Sequence, residues 1–133
     1  MNRTVLTDTG PLYALADPSD QFHGRAQAEL EALEERGFTV AVSYATLCEA
    51  HTLVLRRLGG AYARKWLAEV LAGAVLVNPE PGDYVLAAAQ LKRFPDHPIT
   101  LVDALAAVMS GRLEIPVWSF DRHFRTMRVS VWR

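Results

Sequence analysis

Four acidic side chains that are far apart along the chain could act together in one chemical step: Asp8, Glu49, Asp103 and Asp121. Clustered carboxylates suit Mg²⁺ or Mn²⁺, because these cations prefer oxygen ligands and retain some of their water. A pair of such cations, roughly 3.5–4 Å apart, can activate a water molecule and stabilise the leaving oxygen of a phosphate ester. The chemistry that these residues could support is therefore metal-assisted hydrolysis, with no need for a nucleophilic side chain.

Each aspartate also has a local explanation. Asp8 and Asp121 follow short apolar segments, where an aspartate often caps the N-terminus of a helix. Asp103 stands three residues after Thr100, which is the spacing of a capping box, although the usual partner there is Glu or Gln. Capping and metal binding do not exclude each other, so the aspartates alone leave both interpretations open.

Glu49 is more informative because it lies inside a predicted helix, where capping cannot explain it. The residues three and four positions away on either side include no cation, so no salt bridge within the helix accounts for it: Ala45, Thr46, Thr52 and Leu53. An unpaired buried carboxylate is costly. We therefore expect Glu49 to be paired or bound to metal, with partial exposure at the edge of the helix as the alternative.

Short apolar segments alternate with helical patterns, and this order determines where the acids fall. We predict strands at residues 4–7, 38–42, 74–77, 116–119 and, as a fifth, 129–132, and helices at 12–16, 22–36, 43–58, 62–71, 81–94 and 100–111. The alternation is typical of α/β proteins and predicts a three-layer α/β/α sandwich with a parallel sheet of about five strands. Ligands of such sheets bind beyond the carboxyl ends of the strands. Asp8 and Asp121 fall at that edge.

Composition predicts a single soluble domain over residues 1–133, since half of the residues are hydrophobic and can form a core. The single cysteine, Cys48, allows no intrachain disulfide, which favours a reducing, cytoplasmic location. No apolar run approaches the roughly 18 residues of a membrane-spanning helix. We therefore expect a cytoplasmic protein without a membrane partner.

The net charge of −1 conceals an asymmetry along the chain. Residues 1–55 carry three basic and eight acidic side chains, whereas residues 56–133 carry eleven basic and seven acidic ones. A basic face beside an acidic site would suit a phosphodiester substrate, and a solvated charged surface is the simpler alternative. Under the first interpretation, the arginines expected to position the substrate backbone are Arg112, Arg122 and Arg125.

Four segments resemble the PIN domain, especially that of VapC-type toxins. They are Leu-Thr-Asp-Thr-Gly at 6–10, Leu-Cys-Glu at 47–49, Thr-Leu-Val-Asp-Ala-Leu at 100–105 and Ser-Phe-Asp-Arg-His-Phe at 119–124. The order of the acids and their spacings match along essentially the whole chain. The pieces T-x-x-D-A-L and F-D-x-x-F are the more specific ones.

The resemblance implies a parallel α/β/α sandwich and Mg²⁺- or Mn²⁺-dependent hydrolysis of RNA phosphodiesters. It assigns the metal to Asp8, Glu49, Asp103 and Asp121, and it places Thr9 and Ser119 at small hydroxyl positions that orient water or carboxylates. Many VapC-type toxins dimerise and are silenced by a VapB-type antitoxin. A homodimer and an antitoxin partner are therefore expected.

Two other functions remain open on the sequence alone. The first is an RNA-binding or scaffold module of the same fold without turnover. The second is a small-molecule phosphohydrolase, although an aspartyl-phosphate enzyme normally has a second acid two residues after the first, where this chain has Gly10. His123 is interpreted as a surface imidazole, with contact to a substrate phosphate as the alternative.

Overall fold

The computed structural model describes residues 3–133, in which strands and helices alternate as the sequence predicts. The elements are β1 (Thr4–Thr7), α1 (Thr9–Ala16), α2 (His23–Glu35), β2 (Thr39–Ser43), α3 (Tyr44–Leu58), α4 (Gly60–Gly73), β3 (Val75–Val77), α5 (Pro81–Arg93), α6 (Leu101–Leu113), β4 (Val117–Trp118) and α7 (His123–Thr126). Within residues 3–133, no helix has the length and apolar character needed to cross a bilayer.

The strands form one parallel sheet in the order β3-β2-β1-β4. At its centre, Leu6 of β1 pairs with Ala41 of β2 on one side and with Val117 of β4 on the other. The parallel α/β prediction is confirmed, with four strands rather than five. Of the predicted fifth strand only one parallel bridge forms, between Val131 and Val117, because β4 itself offers just two residues for pairing.

Helices cover both faces of the sheet, which confirms the three-layer architecture. Leu6 packs into a core cluster with Met109 of α6, whereas its neighbour Val5 points the other way and packs against Leu33 of α2. This alternation follows from the two-residue period of a strand. A third cluster joins Val42 of β2 to apolar residues of α1, α3 and α4.

Capping and turn residues determine several of the helix boundaries. The Ser43 hydroxyl accepts a hydrogen bond from the Thr46 N–H at 3.3 Å, as predicted for the N-cap of α3. Gly59 separates α3 from α4 with a φ of +93°, a conformation that favours glycine. Helix α7 was not predicted, since four residues are too few to show helical periodicity.

Helices α5 and α6 are joined by an ion pair between Arg112 and the buried Asp83. The Arg112 Nε lies 2.9 Å from Asp83 Oδ1, and its Nη2 lies 2.8 Å from Asp83 Oδ2. Asp83 is only 2% exposed, and its hydrogen bonds from Arg112 hold the pKa of its carboxyl below the usual value. Charge-assisted bidentate pairs of this kind are among the stronger polar contacts in proteins.

We predict that Arg112→Gln lowers the Tm at neutral pH by roughly 5 °C, because it leaves the Asp83 carboxylate buried without its cation. The pKa of Asp83 is lowered in the folded state, so the pair stabilises the fold above about pH 4 and loses its effect as the pH falls through the folded pKa. Thermal unfolding of Arg112→Gln and of the exposed control Lys92→Gln, at neutral and acidic pH, measures this. An equal loss at both pH values would contradict it.

Candidate metal centre

An open cavity of about 400 Å³, here named the acidic cup, lies at the carboxyl edge of the sheet. All four predicted acids line it: Asp8 after β1, Glu49 from α3, Asp103 from α6 and Asp121 after β4. The other residues that line it are Thr9, Gly10, Phe22, Pro98, Thr100, Phe120 and His123. The structure thus brings together four carboxylates that are up to 113 positions apart in the sequence.

Asp8 occupies the N-cap position of α1, but its side chain makes no capping hydrogen bond. Its Oδ2 instead accepts a hydrogen bond from the Ser119 hydroxyl at 2.8 Å, and the residue is 5% exposed. The same Ser119 oxygen accepts a hydrogen bond from the Asp121 N–H at 2.9 Å. Helix capping therefore does not explain Asp8, whose carboxylate is oriented by a residue beyond the neighbouring strand.

Asp103 and Asp121 each use one oxygen in a local hydrogen bond to the backbone. Asp103 Oδ2 accepts from the Thr100 N–H at 3.3 Å, and the Thr100 hydroxyl accepts from the Asp103 N–H at 3.1 Å, which completes a capping box. Asp121 Oδ1 accepts from the N–H of His123 at 2.8 Å, at the start of α7. For both residues the second carboxylate oxygen has no hydrogen bond within residues 3–133, so these local contacts leave one oxygen free for a ligand.

Glu49 contacts a hydroxyl rather than a cation. Its Oε1 accepts a hydrogen bond from the Thr9 hydroxyl at 2.5 Å, and the side chain is partly buried at the wall of the acidic cup. Thr9 and Ser119 therefore each hold one of the acids in place, Glu49 and Asp8 respectively.

His123 is the site residue that sequence reasoning missed. Its Nδ1 lies 3.3 Å from Asp121 Oδ1 and 3.7 Å from Asp103 Oδ2, and this atom is buried without a hydrogen-bond partner in the described chain. The available signal was its position two residues after Asp121, but a tight turn there can be recognised only once α7 is known. The imidazole lines the acidic cup, and its side chain is 20% exposed.

The donor set of the acidic cup fits a hard divalent cation. One ligand atom from each of Asp103, Asp121 and His123 lies within 4.8 Å of the others, close enough to share an ion. Asp8 and Glu49 line the same cavity outside this tightest group. With one nitrogen among carboxylate oxygens, the set suits Mg²⁺ or Mn²⁺ better than zinc, which usually has several Cys or His ligands.

No lysine or arginine among the described residues of the acidic cup balances its negative charges. Burial is the main cause that raises the pKa of Asp8 to about 7; the charges of Asp103 and Asp121 contribute to this rise, and the Ser119 hydrogen bond acts against it. Burial also raises the pKa of Asp103, with Asp121 as a further cause. A bound cation would relieve this repulsion.

Of the three arginines expected near the substrate, two lie beside the acidic cup. Arg122 and Arg125 line an adjoining cavity that shares Phe120 and Asp121 with the cup. Arg112 does not belong there: it is nine residues after Asp103 in α6, about 13 Å along the helix axis, and it is engaged by Asp83. Arg112 therefore does not lie where it could contact a substrate bound in the cup.

Residues 5–129 match the PIN domain family. None of the curated protein sequences matches the chain at a significant level. Among solved structures, VapC20 of Mycobacterium tuberculosis, described as a Sarcin-Ricin loop cleaving toxin, superposes with a TM-score of 0.86 at 23% identity, covering 97% of this chain and 98% of that one. VapBC2 of Rickettsia felis, bound to a promoter DNA fragment, has a TM-score of 0.77 at 13% identity over 98% and 97% of the two chains. FitAcB of Neisseria gonorrhoeae superposes with a TM-score of 0.69 at 19% identity, covering 97% of this chain and 96% of that one. At these identities, the structural likeness establishes the fold.

We predict that, without divalent metal, the free energy of unfolding decreases as the pH rises from about 4 to about 8. The pKa of Asp8 is raised in the folded state, so the fold favours protonated Asp8, and ionising it costs stability. Asp8→Asn should remove most of this decrease. At about pH 8, the free energy of unfolding of the variant should exceed that of the unsubstituted protein by as much as about 4 kcal/mol.

Urea unfolding in EDTA at several pH values measures the effect, with Asp96→Asn as the control. Asp96 is exposed and does not line the acidic cup. If Asp8→Asn and the unsubstituted protein kept a constant difference across this pH range, the assignment of the raised pKa to Asp8 would be wrong.

Proposed function

The chain belongs to the PIN-domain family, and on that premise we propose that it is a Mg²⁺- or Mn²⁺-dependent endoribonuclease. One observation carries the proposal: four carboxylates and His123 line one cavity that, within residues 3–133, no lysine or arginine lines. An arrangement so costly in free energy is understandable where a divalent ion completes it.

The residues of the acidic cup have two roles: some would bind the ion, and others orient the residues that bind it. Asp103, Asp121 and His123 form the tightest ligand group, with Asp8 and Glu49 around the same space. Ser119 and Thr9 orient Asp8 and Glu49 through their hydroxyls. A bound divalent cation supplies activation of the attacking water and stabilisation of the charge that develops on the phosphate. Ser119 is 5% exposed and donates to Asp8, which favours water over a side chain as the nucleophile.

We further propose that the protein is the toxin of a type II VapBC toxin-antitoxin system that acts on RNA in the cytoplasm. The superposition on VapC20 and on VapBC2, together with the acidic cup, supports this assignment. A VapB-type antitoxin that fills the cup and a homodimer are part of the proposal. Exposed apolar side chains on β3 and α5, such as Leu76 at 50% and Val85 at 71%, support an association surface.

Asp8→Asn, Glu49→Gln, Asp103→Asn and Asp121→Asn should each reduce Mg²⁺-dependent RNA cleavage by about 100-fold or more, since loss of a metal ligand costs more than loss of a residue that orients one. Pure protein and a panel of RNAs, with Mg²⁺ or with EDTA, provide the assay, and Asp96→Asn is the control of equal charge change. Circular dichroism verifies that each variant is folded.

Full activity of Asp8→Asn or Asp103→Asn would overturn the mechanism. RNA retention on a filter that a chelator does not affect, with no fragments produced, would favour a silent RNA-binding module. Hydrolysis of a generic aryl phosphate with none of RNA would favour a small-molecule phosphohydrolase.

Ser119→Ala should reduce cleavage less than the ligand variants, by about 10- to 100-fold, because it orients Asp8 without contacting the ion. Its activity should recover partly at higher Mg²⁺, which an effect on the chemical step alone would not produce. The buried Ser110, whose hydroxyl donates to the Ile115 carbonyl away from the cup, is the matched control as Ser110→Ala. A Ser119→Ala variant with unchanged dependence on Mg²⁺ would contradict this role.

A further inference from the structure

A second, smaller cavity adjoins the acidic cup and has the opposite electrostatic character. It has a volume of about 190 Å³, and Phe120 and Asp121 form the wall that it shares with the cup. We propose that this cavity, here named the arginine pocket, binds the RNA phosphate next to the one that is cleaved. The inference rests on the proposed function and adds to it the path that the strand takes away from the cup. Arginines from three separated parts of the chain line the pocket: Arg25, Arg122, Arg125 and Arg133.

Most of the positive charge of the arginine pocket is not neutralised by the protein. Within residues 3–133, no carboxylate side chain forms a salt bridge with Arg122, Arg125 or Arg133, and all three are exposed. Arg25 is the exception, since its Nε lies 2.9 Å from Glu29 Oε2. The one acid that lines the pocket within the described residues is Asp121, which also lines the cup. Guanidinium groups collected around a small space match the oxygens of a phosphate, which they can bind in pairs.

Two neighbouring phenylalanines line the cup, and one of them, Phe120, also lines the arginine pocket. The rings of Phe22 and Phe120 lie 5.1 Å apart between centroids, and both residues line the cup. The guanidinium carbon of Arg25 lies 4.4 Å from the Phe120 centroid, where it holds that ring in place. Phe22 remains 37% exposed although it is apolar. An exposed aromatic ring near a basic cavity is typical of surfaces that stack unpaired bases.

The size of the arginine pocket selects among possible ligands. At about 190 Å³ it is smaller than the roughly 300–1,000 Å³ of ordinary small-molecule sites. A single phosphate fits such a space, and its base would lie outside, against Phe22. The cup and the pocket share a wall, so they can hold consecutive phosphates of one strand. We infer that the substrate is single-stranded at the cleavage point, since a paired base cannot turn toward Phe22.

Binding of a short fluorescent single-stranded RNA, followed by anisotropy with Mg²⁺ over a series of salt concentrations, tests this inference. An Asp103→Asn background prevents cleavage. Arg122→Gln/Arg125→Gln should weaken binding about 10-fold and make the salt dependence less steep by about 0.7 in log–log slope, as expected for one lost phosphate contact on a single strand.

Phe22→Leu should weaken binding about 10-fold with the slope unchanged, because it removes stacking and no charge. Arg64→Gln/Lys65→Gln, with the same charge change on α4, should have little effect, since no α4 residue lines either cavity.

The inference is overturned if the pocket variant retains the affinity and slope of its background, or if the α4 variant loses as much. It is also overturned if the pocket variant loses binding of polyglutamate but not of RNA, since the pocket would then take an acidic polypeptide. Assays of cleavage distinguish failure of the arginine-pocket inference from failure of the proposed nuclease function. With Asp103 intact, the pocket variant should raise the KM for RNA by a larger factor than the KM for bis(4-nitrophenyl) phosphate, because that diester has no second phosphate. If the unsubstituted protein cleaves neither substrate, the nuclease proposal fails. The binding measurements then still test whether the arginine pocket binds an RNA phosphate.

Discussion

Repulsion among carboxylates that share a partly buried space is the constraint on which the rest of the site depends. Asp8 is nearly inaccessible, its pKa is raised to about 7, and its acidic neighbours contribute to that rise. The fold does not relieve the repulsion with a lysine or an arginine in the described part of the cup. It places hydroxyls there instead, so that Ser119 holds Asp8 and Thr9 holds Glu49. Hydroxyls orient carboxylates without cancelling their charge, which leaves the negative potential available to a cation and, through it, to a phosphate.

Sheet topology brings the acids together. Strands β1 and β4 are neighbours and parallel, so the residues that follow them, Asp8 and Asp121, emerge at the same edge. Helices α3 and α6 lie on opposite sides of the sheet and bring Glu49 and Asp103 to that edge from two directions. The cup therefore lies beyond the carboxyl ends of the strands, where parallel sheets bind ligands, and four separate segments of the chain form it.

Local patterns in the sequence were sufficient to predict most of the architecture and the convergence of the acids. Apolar runs at β1 and β2, the N-cap at Ser43 and the break at Gly59 depend on nearest neighbours in the chain, and they appear where they were predicted. What could not be predicted depends on tertiary placement. The role of Arg112 depends on Asp83, 29 positions away, and the burial of His123 depends on how α7 packs against α6. The fifth strand is reduced to a bridge because β4 is too short to extend it, and strand length is poorly encoded by apolar pattern alone.

The central claim is that the acidic cup is a divalent cation site, and locating the ion tests it most directly. Crystals of the protein soaked in MnCl₂ at mildly alkaline pH, measured at the manganese absorption edge, show bound Mn²⁺ as an anomalous difference peak. We expect a peak inside the cup, in contact with carboxylate oxygens of Asp103 and Asp121, and its loss in crystals of Asp103→Asn. An empty cup at saturating Mn²⁺, with the four acids in the positions described, would contradict the claim.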